Sequence, residues 1–367
     1  MEKAKKVQSK QQQPQLLKEY SINLDLKDEL KNIINKDNQY TIPVFIPHLG
    51  CNNECVFCNQ RKITGLDSSV SVDDVDSIIK KNLEYFENNS KDKKIEIAFF
   101  GGSFTGISIN KQIEYLEIAN KYLKNKSVDS IRLSTRPDYI SPKILKMLKK
   151  YNVGTIELGV QSMDENVLLA SKRGHDKKDV IRASRLIRLY NIDLGIQLMV
   201  GLPESNLETE ITTIKKVLKL KPRCLRIYPV YVLKDSKLYD MYLKKVYIPL
   251  SITEAVNRVY YILKECQKTD VKVIRIGLQS TTEITSSNSE IVGPVCDNFA
   301  EYAMAKIILS KLEDYTRSIK NTSKEEIVLN VNVPSRYISV VIGPKKINKL
   351  YLKDKYNVIL KVKGEDK

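Results

Sequence analysis

Strand-like and helix-like segments alternate between residues 40 and 285, and this alternation restricts the fold more than any other feature of the chain. The strand candidates are rich in branched apolar residues and lie at Val44–His48, Ile95–Phe100, Ser130–Arg136, Thr155–Gln161, Asp193–Gly201, Leu225–Val232 and Val271–Leu278. The helix candidates lie near residues 73–88, 111–124, 142–150, 176–191, 207–219 and 252–268. Such alternation predicts β-α-β units and a parallel sheet. We therefore expect an α/β fold in the form of a partial (β/α)6-type barrel.

The chain on either side of this barrel, residues 39–285, has a different composition. Residues 1–38 are polar and rich in Gln and Lys, and they predict a loose, basic N-terminal arm with a short helix. Residues 286–367 predict a small α+β appendage, with one helix near 297–313 and strands near 328–333, 338–343 and 357–363.

The barrel strands carry an apolar face and a polar face. In Thr155–Gln161, for example, Ile156, Leu158 and Val160 alternate with Glu157, Gly159 and Gln161. If the apolar face packs on the helices, the polar face lines the lumen, where unpaired charges cost several kcal/mol each. We expect such a lumen to hold water or a polar ligand. The alternative is an antiparallel sheet with its polar face in solvent.

The net charge of the chain is strongly positive. Lys and Arg number 61 against 44 Asp and Glu, which gives +17. This balance favours a polyanionic partner, with nucleic acid the leading candidate. The alternative is a general bias of composition, because 48 of the basic residues are Lys and they are spread along the chain. Residues 341–367 carry a local excess, with eight Lys against three acids.

The first residues and the apolar runs bear on location. No apolar run approaches the roughly 20 residues of a membrane-spanning helix. The N-terminal stretch is positively charged but has no apolar core of a secretory signal. We therefore expect a cytoplasmic protein.

Three of the six cysteines, Cys51, Cys55 and Cys58, lie together on the loop after the first strand. Clustered thiols in a cytosolic chain indicate metal or redox chemistry. An iron–sulfur cubane held by three thiolates leaves one iron open for a substrate. Zinc is the alternative, with His48 as the fourth ligand. The scattered Cys224, Cys266 and Cys296 are expected to be free core cysteines.

The C-x3-C-x2-C pattern at this position resembles the signature of radical S-adenosylmethionine (SAM) enzymes. Gly101-Gly102-Ser103 resembles the Gly-Gly-Glu motif that binds the amino group of SAM, so a backbone or hydroxyl contact must replace the missing carboxylate. Phe57 matches the aromatic residue whose backbone reads the adenine edge. The segment from Gly195 to Glu204, with Gln197 and Met199, is similar to the family's fifth-strand motif near the adenine.

Four further motifs resemble, in order, the radical-SAM domain of the Elongator catalytic subunit and its bacterial relatives. They are Ser134-Thr135-Arg136-Pro137-Asp138, Glu157-Leu158-Gly159-Val160-Gln161-Ser162, Lys172-Arg173-Gly174-His175 and Arg226-Ile227-Tyr228-Pro229. The resemblance covers about residues 40–285. It implies that Glu157 and Arg173 contact the ribose and carboxylate of SAM, with Gln161 in the same cofactor-binding set. In the alternative interpretation, Glu157 pairs with a lumen arginine, and His175 caps the helix that begins near Asp176.

The chain also departs from the Elongator subunit. That subunit has a longer spacing between its first two cluster cysteines and a C-terminal acetyltransferase domain, for which the roughly 80 residues after the barrel leave no room. Carboxymethylation by the Elongator route is therefore not expected. The cysteine motif and Gly159-Val160-Gln161-Ser162 also resemble oxygen-independent coproporphyrinogen oxidases.

The resemblance implies a mechanism as well. Cys51, Cys55 and Cys58 hold a [4Fe–4S] cluster, an electron from reduced flavodoxin or ferredoxin cleaves SAM, and the 5′-deoxyadenosyl radical attacks a substrate in the lumen. The candidate substrate-binding residues are Arg136, His175, Arg226, Tyr228 and Arg275. Three hypotheses follow: modification of tRNA or another RNA, reaction on a small anionic metabolite such as a porphyrin, and a non-catalytic iron–sulfur or zinc protein that binds RNA.

Overall fold

The structure is a computed structural model that describes part of the 367-residue chain. The described residues are 17–24, 26, 30, 33, 39–46, 50–51, 55–59, 70–89, 94–278, 291–320 and 325–365. The chain divides into two compact units, Lys27–Met304 and a second unit formed by Met1–Leu26 with Ala305–Lys367. In the described ranges, no helix is both long and apolar enough to cross a membrane.

The larger unit is built on a seven-stranded parallel sheet. Its strands are hydrogen-bonded in the order in which they occur in the chain, β2-β3-β4-β5-β6-β7-β9. The two-residue strand β8 lies between β7 and β9 in the sequence but belongs to another sheet. The strands are β2 (Gln39–Ile46), β3 (Lys94–Gly101), β4 (Ser130–Thr135), β5 (Val153–Gln161), β6 (Asp193–Val200), β7 (Cys224–Pro229) and β9 (Lys272–Ile276). The fold is a partial TIM-type barrel, as predicted, and the alternative of an antiparallel sheet is wrong.

Helices follow these strands at the six predicted places, and two short helices that were not predicted, Glu165–Ala170 and Lys237–Leu243, lie between them. They are α1 (Val72–Asn89), α2 (Ile109–Lys124), α3 (Pro142–Lys150), α4 (Glu165–Ala170), α5 (Lys177–Leu189), α6 (Leu207–Leu218), α7 (Lys237–Leu243) and α8 (Ile252–Cys266). Capping side chains fix where several of them begin: Ser141 precedes Pro142 in α3, and capping boxes at Asp176, Asn206 and Ser251 begin α5, α6 and α8. A short antiparallel pair, β8 (Val232–Leu233) and β10 (Ile291–Val292), follows β7.

The smaller unit contains a three-stranded parallel sheet in the order β1-β11-β12. Its strands are β1 (Lys18–Asn23), β11 (Ile327–Pro334) and β12 (Val358–Glu365), and the helices of this part of the chain are α9 (Phe299–Lys320), α10 (Ile338–Ile342) and α11 (Ile347–Tyr356). Lys18 pairs with Ile327, and Ile327 pairs with Val358.

Two local expectations about secondary structure are wrong in this unit. Lys18–Asn23 forms a strand rather than a loose or helical segment, because Tyr20 and Ile22 alternate with exposed residues and β11 supplies a partner edge. The segment predicted as a strand at 338–343 is the helix α10, whose Val340 and Val341 are buried. Packing has overridden the strand preference of this β-branched run.

Candidate active site

The loop that carries the cysteines packs closely on the segment after β3. Gly50 has a φ of +77°, and a Cβ there would lie 2.3 Å from Ser103 O. Only glycine combines this conformation with such an approach. The next residue, Cys51, consequently lies beside Ser103, and a hydrogen bond of 3.1 Å joins Cys51 Sγ and Ser103 Oγ.

The second half of the loop is held by backbone hydrogen bonds. Val56 N–H donates to Ser171 O over 3.2 Å, and Leu238 N–H donates to Val56 O over 2.7 Å. Cys58 N–H donates to Cys55 O over 3.0 Å, which closes a tight turn between these two cysteines. The three thiols therefore lie on a loop whose described ends are both fixed.

Arginine side chains lie next to two of these thiols. Arg173 Nη1 donates to the buried Cys55 Sγ over 3.1 Å, and the Arg173 guanidinium lies 5.8 Å from the centre of the Phe57 ring. Burial lowers the pKa of Arg136, but the Asp138 carboxylate and the Cys55 and Cys51 thiols raise it more, so the net shift is upward. The thiolate is the form of cysteine that binds iron, and these two cations are placed to offset the negative charge of such thiolates.

Several buried polar atoms beside the thiols have no hydrogen-bond partner in the described part of the chain. They include Arg136 Nη1 and Arg173 Nε. Arg136 otherwise holds Asp138 through two bonds of 3.0 Å. A buried donor without an acceptor costs about 1–3 kcal/mol, so two such guanidinium donors fit a site completed by an anionic ligand. These donors fit the carboxylate of SAM, whereas a cluster on the three thiols stays a prediction.

Gly101 and Gly102 lie at the C-terminal end of β3, as predicted. Gly101 has a φ of +98°, and Gly102 N–H donates to Ile46 O over 2.7 Å. A Cβ on Gly101 would lie 2.9 Å from the same oxygen. The two glycines thus bring β2 and β3 together where the cysteine loop leaves β2.

His175 is buried and its ring is held neutral. Burial and then the neighbouring Arg173 and Arg136 lower the pKa of His175 to about 3. The alternative role for His175, a helix cap, is wrong, because the Asp176 side chain itself accepts from the N–H groups of Lys178 and Asp179.

The Glu157 carboxylate is the centre of a buried polar network in the lumen. It accepts from Arg132 Nη1 at 2.7 Å, and Arg226 Nε lies 2.8 Å from its other oxygen. Gln197 Nε2 donates to it over 2.9 Å and lies 3.2 Å from Ser134 Oγ. Burial raises the pKa of Glu157, but Arg226 and Arg132 outweigh burial and the pKa is lowered. Pairing with lumen arginines is thus present at Glu157.

The other predicted substrate-binding residues lie along β7 and β9. The Arg226 guanidinium lies 5.0 Å from the centre of the Phe100 ring. Burial raises the pKa of Tyr228, against the opposing effect of Arg226. Burial lowers the pKa of Arg275, whose Nε lies 3.4 Å from Gly277 O. Arg226, Tyr228 and Arg275 therefore form one group, whereas Arg136 and His175 lie with the cysteine loop.

Gln161 and Met199 line a cavity of about 10 Å³, together with Glu210 and Thr213. This volume has room for about one water molecule. Gln161 Oε1 and Glu210 Oε2 are buried and have no hydrogen-bond partner among the described residues. We expect one buried water to form hydrogen bonds with both of these oxygens. The cofactor-binding role of Gln161 and Met199 stays a prediction.

Two members of the site were missed in the sequence. Glu96 on β3 binds Arg132 Nε over 2.7 Å, and Cys224 on β7 lies 3.5 Å from Arg132 Nη1. Burial raises the pKa of the Cys224 thiol. Glu96 interrupts the apolar strand Ile95–Phe100, and this lone charge was the available signal.

Among the described residues, no three His, Cys, Asp or Glu side chains are arranged to hold one metal ion, and the assignment of a cluster to Cys51, Cys55 and Cys58 stays a prediction. His48, the fourth ligand of the zinc alternative, lies outside the described residues. None of the six cysteines forms a disulfide bond.

Two family models match the chain. The model of the radical SAM superfamily matches residues 45–217, and the Radical_SAM C-terminal domain matches residues 222–310. An uncharacterized protein of Methanocaldococcus jannaschii is 30% identical over 61% of this chain and 71% of its own length. The chain belongs to the radical SAM superfamily and is a radical SAM enzyme, a family that uses a [4Fe–4S] cluster and SAM.

Named relatives place it within that superfamily. The tRNA uridine(34) acetyltransferase of Methanocaldococcus infernus is 29% identical over 46% of this chain, and human Elongator complex protein 3 is 30% identical over 35%. The chain spans 35% and 25% of their respective lengths. The solved archaeal Elp3 of Methanocaldococcus infernus, with an N-terminal deletion, shares the fold at a TM-score of 0.59 and 21% identity. That match covers 75% of this chain and 64% of the other. The predicted likeness to the Elongator radical-SAM region is confirmed.

Proposed function

We propose that this enzyme binds its [4Fe–4S] cluster through Cys51, Cys55 and Cys58 and acts on tRNA or another RNA. The observation that carries the cofactor assignment is a pair of guanidinium donors beside the thiols, Arg136 Nη1 and Arg173 Nε, which have no hydrogen-bond partner among the described residues. A carboxylate is the group that such donors bind best. SAM, the cofactor that this family uses, carries such a carboxylate.

When bound, the cluster and SAM supply a 5′-deoxyadenosyl radical, with the electron coming from reduced flavodoxin or ferredoxin. Arg173 offsets charge at Cys55 and orients the anionic end of SAM. Ser103, next to Cys51, offers the hydroxyl that stands in place of the family's glutamate. The neutral ring of His175 adds no positive charge at neutral pH.

We assign the polar side chains of the lumen to orienting bound ligands rather than to transferring protons. Glu157 is ionised because two arginines hold it, so it accepts hydrogen bonds and is a poor acid. Gln197 Nε2 donates to one of the Glu157 oxygens over 2.9 Å, and the ribose of SAM is the hydroxyl-bearing ligand that we propose for this pair. Arg226, Tyr228 and Arg275 remain the proposed contacts to an anionic substrate.

RNA is favoured as the substrate by two observations. The relatives include proteins named as tRNA uridine(34) acetyltransferases, and the chain carries a net charge of +17. We assign to this enzyme the binding of RNA and radical attack on it, and we assign no acetyl transfer. We place the protein in the cytoplasm, where tRNA and reduced flavodoxin or ferredoxin are available.

The cofactor assignment is tested by anaerobic reconstitution with iron and sulfide, followed by SAM and dithionite. We expect 5′-deoxyadenosine from the unchanged protein and none from Cys55→Ala, together with loss of bound iron. Cys266→Ala is the matched control, because Cys266 is fully buried at the end of α8 and its pKa is raised to about 12. Equal loss of iron in both variants would contradict the assignment of one cluster to this loop.

The substrate is tested separately with purified tRNA. Added tRNA should increase the yield of 5′-deoxyadenosine above the uncoupled level and should acquire a new nucleoside mass. Stimulation by a porphyrin and not by tRNA would favour the small-metabolite hypothesis. A bound cluster with no SAM cleavage under any electron donor would favour the non-catalytic hypothesis.

A further inference from the structure

The smaller unit contains a β-α-α-β arrangement whose two helices meet at a short basic turn. β11 leads into α10, the turn Gly343-Pro344-Lys345-Lys346 follows, and α11 leads into β12. β11 and β12 pair in parallel, with β1 on the other side of β11. KH domains bind single-stranded nucleic acid with a Gly-x-x-Gly loop that clamps the backbone of four nucleotides. Here the loop begins with glycine and ends with Lys346 in place of the second glycine.

The turn is fixed from inside the unit. Gly343 has a φ of +78°, and a Cβ there would lie 2.7 Å from Ile347 Cγ2. Asn348 is 1% exposed, and its Nδ2 donates to Ala305 O over 2.9 Å and to Val341 O over 3.1 Å. The side chain of α11 thus ties the end of α10 to α9. A preorganised turn loses little freedom when a ligand binds.

The lysines of the turn are directed to solvent, whereas those at the far end of α11 are paired. Lys345, Lys346 and Lys349 are exposed, and no described carboxylate forms an ion pair with them. Lys353 pairs with Glu326, and Lys355 pairs with Glu313 over 3.1 Å. The uncompensated positive charge of this helix is therefore concentrated at its start.

Apolar side chains lie among these lysines. Ile347 is 44% exposed and Leu350 is 55% exposed, and both belong to the first turn of α11. A surface that joins free cations with exposed aliphatic groups suits a chain of phosphates carrying unstacked bases. A duplex offers its phosphates but keeps its bases stacked, so it matches only half of this surface.

We propose that the turn surface, defined as Lys345, Lys346, Ile347, Lys349 and Leu350, binds the backbone of single-stranded RNA. The two turn lysines contact phosphates, and the aliphatic side chains contact the bases. The proposal deepens the proposed function and rests on it only for the choice of RNA as the nucleic acid. It gives the enzyme an RNA contact that belongs to the smaller unit and not to the lumen residues.

The test is fluorescence anisotropy of a labelled single-stranded RNA of eight nucleotides, titrated with the full chain at several salt concentrations. The double variant Lys345→Gln with Lys346→Gln should make the slope of log affinity against log salt shallower by about 1.4, at about 0.7 for each phosphate contact. When the salt is lowered from 1 M to 0.1 M, the affinity of the unchanged chain should therefore rise roughly 25-fold more than that of the double variant. The matched control is Lys143→Gln with Lys146→Gln, which removes two exposed lysines from α3 and should leave the slope nearly unchanged.

Three results would overturn the proposal: no binding by the unchanged chain, equal slopes in the two double variants, or equal affinity for a duplex of the same length. A second variant, Ile347→Ser with Leu350→Ser, keeps the charge and should weaken binding without changing the slope. Failure of the proposed function is distinguishable from failure of this proposal. If only the proposed function fails, tRNA does not stimulate SAM cleavage, but the oligonucleotide still binds through the turn surface.

Discussion

Glu157 provides the sharpest test of how the lumen is held together. Its side chain is 1% exposed and accepts from Arg132, Arg226 and Gln197. Replacing it with glutamine keeps the shape and removes the charge. Arg132 then retains Glu96 as a partner, but Arg226 is left without a described carboxylate.

The expected loss of stability follows from this asymmetry. Removing one partner of a buried ion pair costs about 3–5 kcal/mol, because the remaining charge stays buried. Glu157→Gln should therefore cost about 3–5 kcal/mol, out of the roughly 5–15 kcal/mol that stabilise a typical protein. Arg226→Met should cost less, because Glu157 keeps Arg132 and Gln197. The double variant should recover much of the loss, since both charges are then gone.

Hydrogen exchange of the β5 and β6 amides in the cluster-free protein measures this loss directly. It is preferred to a whole-molecule melt because two compact units need not unfold together. The folded pKa of Glu157 is lowered, so its contribution is complete above its ordinary pKa of about 4.3 and is lost as the pH falls through the folded value. The reasoning is refuted if Glu157→Gln costs less than about 1 kcal/mol at pH 7 or less than Arg226→Met.

Two further predictions concern the same region. Gly195→Ala should destabilise the larger unit by about 1–3 kcal/mol in the exchange assay, because the new Cβ would lie 2.8 Å from Glu157 Cγ. Gly154→Ala, whose Cβ would have no neighbour nearer than 3.7 Å, should be nearly neutral, and equal costs would contradict this account. The ring signals of His175, assigned in NMR spectra by their loss in His175→Gln, should not titrate between pH 5 and 8. Because only the unfolded chain binds this proton in that range, the stability owed to His175 is complete above about pH 6.5 and falls as the pH drops towards 3; a midpoint near 6.5 in the folded protein would contradict the burial argument.

The sequence predicted the barrel well because both of its periodicities are strong. Strands such as Thr155–Gln161 alternate strictly, and helices such as α5 and α8 begin at recognisable caps. The smaller unit was harder to predict. The β-branched run in α10 favours a strand locally, and β1 is short and polar, so only the edge of a distant strand makes it ordered.

The site was predictable only in part: Glu96 and Cys224 were missed in the sequence, the cofactor roles of the predicted residues stay predictions, and the pairings between side chains could not be predicted. The cysteine motif, Arg173 and Glu157 all stand out in the sequence, and the structure brings Cys55 and Arg173 into contact. That Arg132 divides its donors between Glu96 and Glu157, or that Arg136 holds Asp138 through two bonds, depends on register between strands far apart in the chain. Spacing along one sequence does not contain that information.

The pairing of β1 with β11 has a consequence for how the protein is made. The two strands are separated by about 300 residues, and translation at about 5–20 residues per second leaves β1 waiting for roughly 15–60 seconds before its partner emerges. The larger unit lies wholly between them and has time to fold first. Until then this segment has no β11 edge to pair with, so proteases and other sheet edges can reach it. Its alternate residues are polar, and this composition reduces its tendency to associate with other chains before β11 is made.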